Sequence, residues 1–599
     1  MKEKDYLYDL KEKIGKMTKK ELEERDLYLR DLALGKLEGP QTGLASIDKP
    51  WLAKYSESII KSSIPKNSLY GFVYENNKDN MDGFVFIAPE KVTYREMFDR
   101  IDEVAKSLIS IGVKDGDVVA VGNATTPEAF YLIYALDKIG AVCDSIDALA
   151  SKSDLINKYL TDTNTEYLFI NDLSMPEVSK IIGKNNVKNI IVKELMLPKS
   201  EIKSNGIITS WEDFISAGKN VELEPKPYIE NKTSILEHTG GTTGFPKGAM
   251  LTNDGLNGQA WQLSTSLNFE RGEIALGLMP VFASFGLMFA HTAIAYGVQL
   301  VLVPLYDPSK FIDLVNEYKP NRFACSPAFW ENLLRDPRSK DLDISSFKNP
   351  IVGGDLMNEK IEKQVNEYFK SKGNDSVLTK GYSSTESSAG TTCNLGKDCN
   401  KLVSVGVPFP KIELKIVSPD TMQEVPYGVP GEICISGSNL MKGFYNKPEE
   451  TEKVLKEHED GKVWLHSGDI GYMDNEGFTY VINRIKRIII RNDGCKVYPT
   501  QIENVILKHK DVSYCSVVGV NDPEHLQGEL PYAYVVVDEA SADRLSQIKE
   551  EIFALCNDNL PVYSIPMDIC FMKELDKTKV GKVDYVSLQE KANQKIKIK

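Results

Sequence analysis

Residues 238–250 read His-Thr-Gly-Gly-Thr-Thr-Gly-Phe-Pro-Lys-Gly-Ala-Met, just after the apolar pair Ile235 and Leu236. Gly240, Gly241 and Gly244 permit positive φ and let successive backbone N–H groups turn onto one anion. Thr239, Thr242 and Thr243 add hydroxyl donors, and Lys247 adds a compact positive charge suited to phosphate. The segment reads as a cradle for a polyphosphate. It is not a Walker A loop, which ends Gly-Lys-Ser/Thr, because Lys247 stands between Pro246 and Gly248. Taken alone, the same composition also describes a Gly/Thr-rich surface loop.

Outward from this loop, strands alternate with helices. Asp117-Val118-Val119-Ala120-Val121-Gly122 reads as a buried strand, and Thr126 and Pro127 as the cap and first position of a helix. Ala129, Leu132, Ile133, Leu136 and Ile139 then recur at helical spacing up to Gly140, and Ala141-Val142-Cys143 opens another strand. Further on, the pattern predicts a helix near Leu287–Tyr296, a strand at Val298–Val303, a helix from Ser309 and a strand at Arg322–Cys325. Such alternation predicts an α/β fold of layers with largely parallel sheets.

Past residue 400 the texture shifts to short β-rich segments, among them Glu413–Val417 and Gly431–Ser436, and a compact α+β tail comes after Arg484. The predicted organisation is a helical extension over residues 1–50, a large domain over 51–484 with a β-rich subdomain, and a small domain over 485–599. In the extension, Thr18 and Glu21 form a capping box for a helix reaching about Leu37.

The chain has 599 residues, 42% of them hydrophobic and 26% charged, the balance of a soluble globular protein with large cores. A net charge of −14 argues against a nucleic-acid partner, which needs a basic face. The start, Met-Lys-Glu-Lys-Asp-Tyr, has no apolar signal core, and the most apolar window, Leu287–Val303, is too short to span a bilayer. Nine cysteines without a Cys-x-x-Cys pair, and six histidines without His-Glu-x-x-His spacing, predict reduced thiols, a cytoplasmic setting and no structural transition metal. Peripheral contact with a membrane surface stays open.

Further stretches lie downstream of the loop. Gly353-Gly354-Asp355-Leu356 is a glycine-rich turn; Lys380-Gly-Tyr-Ser-Ser-Thr-Glu-Ser387 carries Tyr382, Ser384, Thr385 and Glu386; Trp464-Leu-His-Ser-Gly-Asp-Ile470 carries Asp469. Asn483-Arg484-Ile-Lys-Arg-Ile-Ile-Ile-Arg-Asn-Asp-Gly-Cys-Lys496 carries Arg484, Lys486 and Gly494, and Leu575-Asp-Lys-Thr-Lys-Val-Gly-Lys582 ends on Lys582. Gly431–Gly437 together with Gly443-Phe-Tyr-Asn-Lys-Pro-Glu-Glu-Thr451 forms a longer, more specific pattern. Singly, a Ser-Gly-Asp is common, the basic run reads equally well as a solvated face, and a C-terminal lysine is ordinarily solvent-exposed.

In this order, over residues 239–584, the motifs resemble those of the adenylate-forming (AMP-binding) enzymes of the acyl-CoA synthetase type. The resemblance implies that Tyr382 stacks on adenine beside Gly354 and Asp355, that Thr385 and the 239–247 loop meet phosphate, and that Ser384 belongs to the nucleotide-binding set. It implies Glu386 on Mg²⁺, Asp469 and Arg484 on the ribose, Lys486 at a hinge, Gly494 in a loop that approaches the nucleotide or the pantetheine tunnel, and Lys582 as the catalytic lysine on a mobile small domain. Ser383 stands where the pattern has glycine, Asn483 where Gly or Asp is usual, and Asp576 where it has proline.

The resemblance also implies a two-step reaction. A carboxylate attacks the α-phosphorus of ATP and expels pyrophosphate, and the thiol of coenzyme A, or of a carrier protein, then displaces AMP. The pattern Pro-x-Phe-His-x-x-Gly appears as Pro280-Val-Phe282-Ala283-Ser-Phe285-Gly286, with alanine in place of histidine, which points to a roomier, apolar acyl pocket. No aspartate stands ready for an α-amino group, so a medium- or long-chain fatty acid is expected. An aryl acid, a carrier-protein acceptor, a luciferase-type oxygenase and a non-catalytic nucleotide-binding protein are the alternatives.

Overall fold

The alternation within single strands builds the layers. In Val118–Gly122, Val119 and Val121 enter one core while Ala120 enters another; in Tyr167–Asn171, Phe169 points one way and Leu168 and Ile170 the other. A strand buried on both faces needs a partner layer on each side. The helices Pro127–Ile139 and Ser284–Ala295 are buried almost all round and form the middle layer. Two sheets sandwich it.

In this computed structural model the described residues are 10–39, 41–149, 151–198, 201–239, 246–305, 307–355, 357, 359–492, 496–525, 528–538, 543–577 and 583–598. The first sheet runs 208–210, 189–193, 167–171, 118–122, 142–145, 233–238 and 248–252, all parallel except for the last strand. The second has nine strands and a parallel centre formed by 84–88, 299–302, 274–277, 322–325, 351–352 and 379–384. Its outer face is covered by helices 311–318, 327–335 and 359–371 through Phe311, Trp330 and Phe369. The predicted mixed α/β class and the large-plus-small organisation are what the structure has.

The antiparallel sheet of strands 412–417, 431–437, 463–473, 455–457 and 479–484 forms the β-rich subdomain. The helix Lys19–Ala33 carries the Thr18–Glu21 capping box and stops short of Leu37, because Leu34 caps it and Gly35 turns left-handed at φ 69°. Lys49 ties this segment to the β-rich sheet, its ammonium 2.9 Å from Asp26 and 3.0 Å from Glu413. After Arg484 the chain builds its own cores around strands 512–521, 529–537 and 568–572 and helices 499–506, 545–559 and 585–598. Among the described residues no helix is long and apolar enough to cross a membrane.

Candidate active site

The glycine-rich segment joins strand Thr233–His238 to the antiparallel strand Gly248–Thr252, at the edge of the first sheet. Its base is closed by the Thr239 N–H, which donates to the Lys247 carbonyl at 3.0 Å, and by the Lys247 N–H, 3.4 Å from Thr239 Oγ1. Gly240, Gly241, Thr242, Thr243 and Gly244 lie outside the described residues. The Lys247 ammonium is not a free charge: it sits 2.5 Å from Glu450 and 4.9 Å from the centre of the Phe444 ring. Hydrogen bonds from Lys247 and Lys453 hold the Glu450 carboxylate down at about 2. Tyr445 N–H donates to Gly248 and Met250 N–H to Gly443, so the segment 443–451 is stitched to the loop's exit strand.

Below the loop lies a buried polar group. His238 Nε2 is 2.6 Å from Asp144, and its ring packs 4.4 Å from that of Tyr159. Glu237 points to the other face of the strand, fully buried, with neither carboxylate oxygen hydrogen-bonded. Burial, and secondly the Asp144 charge, push its carboxyl well above the usual range.

Four residues from three separate stretches of the sequence gather around one guanidinium, that of Arg484. Asp469 and Arg484 face each other across antiparallel strands, with Arg484 Nε 3.0 Å from Asp469 Oδ1. The Tyr382 hydroxyl donates to Asp469 Oδ2 at 2.6 Å. Burial drives the phenol well above its ordinary value, and the Asp469 charge adds to this. Asp469 is also the first cause of the raised Arg484 pKa, with Tyr382, Glu386 and Asp355 contributing beyond it. Ser383 adopts no left-handed conformation, which removes the conflict posed by serine in a glycine position; it sits opposite Gly390 at a bulge. The Ser384 hydroxyl is engaged by Ser387 at 3.0 Å, whereas that of Thr385 lies 3.4 Å from Ser284. Glu386 is half-buried, and its carbonyl accepts the Met441 N–H at 2.8 Å.

The family model for AMP-binding enzymes matches residues 74–445, and that for the C-terminal domain of these enzymes matches residues 501–582. This chain belongs to the AMP-binding enzymes, the adenylate-forming superfamily. It is 30% identical to the long-chain-fatty-acid–CoA ligase of Bacillus subtilis (strain 168), over 89% of this chain and 96% of that protein. It is 27% identical to the probable 4-coumarate–CoA ligase 1 of Dictyostelium discoideum, over 80% and 87%. The crystal structure of ATP-bound MatB from Rhodopseudomonas palustris shares the fold, with a TM-score of 0.76, 22% identity and coverage of 88% and 99%.

In this AMP-binding enzyme the segment Val281–Phe289 runs from the polar site into the middle layer. Ala283 caps helix Ser284–Ala295 without a side-chain bond, and Phe282 and Ala283 are half-buried. Gly286 is required by close approach: a Cβ there would fall 2.2 Å from the Pro280 carbonyl oxygen. The ring of Phe285 lies against Gly353, 3.3 Å from where a Cβ would be. Deeper on the same helix, His291 bridges Tyr134 and Asn257 at 3.0 Å each, and burial lowers its pKa to about 4, so it is a neutral core residue.

Gly494 and Lys582, the remaining candidates, lie outside the described residues, as does the side chain of Lys486. Among the described residues after Arg484, Arg487 pairs with Glu503 at 2.6 Å and stacks 3.8 Å over Tyr585. The Asp355 charge faces Arg487, Tyr514 and Tyr585, so the small domain meets the large one at the glycine-rich turn. Gly354 in that turn has φ 83°. Sequence reasoning missed Glu450 and Ser284. Glu450 stands within the 443–451 motif, and the alternating charges around it carry no sign of its partner.

Proposed function

We propose that this enzyme activates a medium- or long-chain fatty acid with ATP and transfers the acyl group to coenzyme A, releasing pyrophosphate and AMP. The observation that carries the substrate class is the seam at Ser284–Phe285. There the helix N-terminus touches Thr385, and the next side chain is an aromatic ring packed on Gly353. An activated carboxyl group at the polar end of that seam leaves its chain beside Phe285 and the apolar helix. Residues 279–295 contain no acidic side chain to take an ammonium group. An aryl acid is the second reading, favoured by the similarity to the probable 4-coumarate–CoA ligase 1. The cytoplasm is the proposed setting, with residue 484 as the proposed end of the large domain.

In the first step a substrate carboxylate oxygen forms a bond to the α-phosphorus, and the bond to the β-phosphate bridge breaks. Such chemistry depends on positioning and on neutralising charge. Thr239–Lys247 is assigned to the leaving pyrophosphate, Tyr382 to the adenine, and Asp469 with Arg484 to the ribose. A hard carboxylate oxygen suits Mg²⁺, and Glu386, half-buried and facing Arg484, is the residue that would hold the ion and so help neutralise the phosphates. Lys582 is assigned to the carboxylate and α-phosphate oxygens, where negative charge gathers. In the second step the thiol sulfur bonds to the acyl carbon, the acyl–phosphate bond breaks and the thiol proton is lost to solvent. Rotation of the small domain near Lys486 separates the two steps.

Pyrophosphate release measured on fatty acids of graded length, aryl acids and amino acids, with coenzyme A then added, tests the assignment. Fatty acids are expected to lead, with thioester appearing on addition of coenzyme A. An amino acid as the best substrate overturns the reading. Lys582→Ala is expected to lose adenylation more than thioester formation from preformed acyl-adenylate; equal loss of both removes its assigned role.

A further inference from the structure

Strand Val463–Met473 breaks its pairing with Gly431–Gly437 at one place. Cys434 stands opposite His466 and Glu432 opposite Ile470, so Ser467, Gly468 and Asp469 form a bulge across from Ile433. Gly468 takes φ 73°, a conformation that favours glycine. Bulges re-aim side chains, and this one aims Asp469 at Tyr382 and Arg484. Three hydrogen bonds fix it. The Ser467 hydroxyl donates to the Ile433 carbonyl at 2.7 Å and accepts from the Asp469 N–H at 3.1 Å. The Gly468 N–H donates to Glu432 Oε1 at 3.0 Å.

Glu432 is itself held. Its Oε2 lies 2.7 Å from His466 Nδ1, and His466 Nε2 lies 3.0 Å from His458 Nε2. A carboxylate only accepts, so His466 presents a proton on Nδ1 to Glu432, and its Nε2 shares a hydrogen bond with His458. Burial, with Lys415 and then His466 next, lowers the His458 pKa to about 4, so His458 is neutral there. Glu432, His466 and Asp469 are all less than one-tenth exposed.

We infer that His466 and Glu432 are positioning residues for nucleotide binding: they lock the Ser467–Gly468 bulge and thereby aim the Asp469 carboxylate. This rests on the reading of Asp469 as the ribose ligand. A metal ion held by Glu432, Cys434 and His466 is the competing reading, since their ligand atoms cluster. The 3.6 Å between Cys434 Sγ and His466 Nδ1 fits two ligands of a tetrahedral ion. The 2.7 Å between Glu432 and His466 does not, because ligands each about 2.0–2.2 Å from zinc stand roughly 3.4 Å apart. A proton, not an ion, joins them.

The test compares His466→Asn, whose amide N–H₂ occupies the place of Nδ1–H, with His466→Gln, whose amide reaches the Nε2 position instead. In steady-state kinetics of the intact enzyme, His466→Gln is expected to raise the KM for ATP about tenfold, the loss of one hydrogen bond to a charged group. Its kcat should change by less than about threefold, and His466→Asn should restore the KM. Asn and Gln variants that cannot be told apart in KM for ATP overturn the inference. Asp469→Ala in the same assay separates this from the site reading. An unchanged KM there overturns the ribose assignment and this inference with it. A raised KM alongside indistinguishable Asn and Gln variants overturns this inference alone.

Discussion

The phenol of Tyr382 and the carboxylate of Asp469 meet at 2.6 Å although 87 residues separate them, and Arg484 holds the other oxygen of the same carboxylate. A carboxylate oxygen accepts more than one hydrogen bond, so Asp469 can take a nucleotide hydroxyl in addition to these partners. The pairing fixes the plane of the Tyr382 ring as well as the direction of Asp469. Tyr382→Phe keeps the aromatic face and loses the donor, and is expected to weaken AMP binding about threefold to tenfold by isothermal titration. Asp469→Ala strips partners from both Tyr382 and Arg484 and is expected to weaken it more. Binding by Tyr382→Phe as tight as wild type would show that the hydroxyl does not position the ring.

Lys247 makes a different prediction because its charge is already paired. To meet a phosphate, the ammonium must leave Glu450, which is itself partly exposed. An exposed pair of this kind adds little to stability, so Glu450→Gln is expected to leave the melting temperature nearly unchanged. Freed from its competitor, Lys247 should serve ATP better: the KM for ATP should fall about twofold to fivefold. Lys247→Ala should raise it. A rise in KM in Glu450→Gln would mean instead that Glu450 holds Lys247 in its working position.

The buried carboxyl of Glu237 links stability to pH. Its pKa is raised in the folded state by burial and then by Asp144, so the folded protein binds a proton that the unfolded chain releases above about 4.5. Stability from this group is therefore full below the unfolded pKa and declines as pH rises toward the folded one, by about 1.4 kcal/mol per unit. Glu237→Gln cannot titrate and should flatten the fall in melting temperature between pH 5 and 8. The slope is the readout, since a buried amide without partners carries its own cost. Equal slopes in variant and wild type would mean that Glu237 titrates normally.

The parts of the fold legible in the sequence are those set by local chemistry. The Thr18–Glu21 box, the Pro127 helix start and the strand Arg322–Cys325 depend on neighbouring residues, and the structure has all three. Thr126, read as a cap, precedes that helix without a side-chain bond, its hydroxyl buried and unpartnered. The bringing together of Asp355, Tyr382, Glu386, Asp469 and Arg484 was legible only through motif order, because no local rule spans more than a hundred residues. Glu450 with Lys247, Ser284 with Thr385, and His466 with Glu432 were not legible. Each pair joins residues on different elements, and a lone glutamate, serine or histidine carries no mark of its partner.

The junction of the two domains gives the last prediction. Glu331, on helix Pro327–Arg335 of the large domain, is buried against Tyr514 on strand Val512–Asn521 of the small one. Burial pushes its carboxyl up to about 7, while the Tyr514 hydroxyl and then Arg335 and Lys577 pull it down. With the domains apart, the carboxyl loses the burial that Tyr514 and its strand supply and moves back toward the ordinary 4.5, so docking takes up a proton between these values. Docking is strongest at low pH and weakens as pH rises through 7. Between pH 6 and 8 its equilibrium constant should fall by up to about tenfold. Resonance energy transfer between a dye on each domain reads this directly: the wild type should open as pH rises, and Glu331→Gln, with no proton to lose, should hold one value. Opening to the same extent in both would show that another group governs the contact. Because Lys582, proposed as the catalytic lysine, falls within the match to the C-terminal family domain, the same titration should shift the ratio of pyrophosphate formation to thioester formation in wild type and leave it fixed in Glu331→Gln.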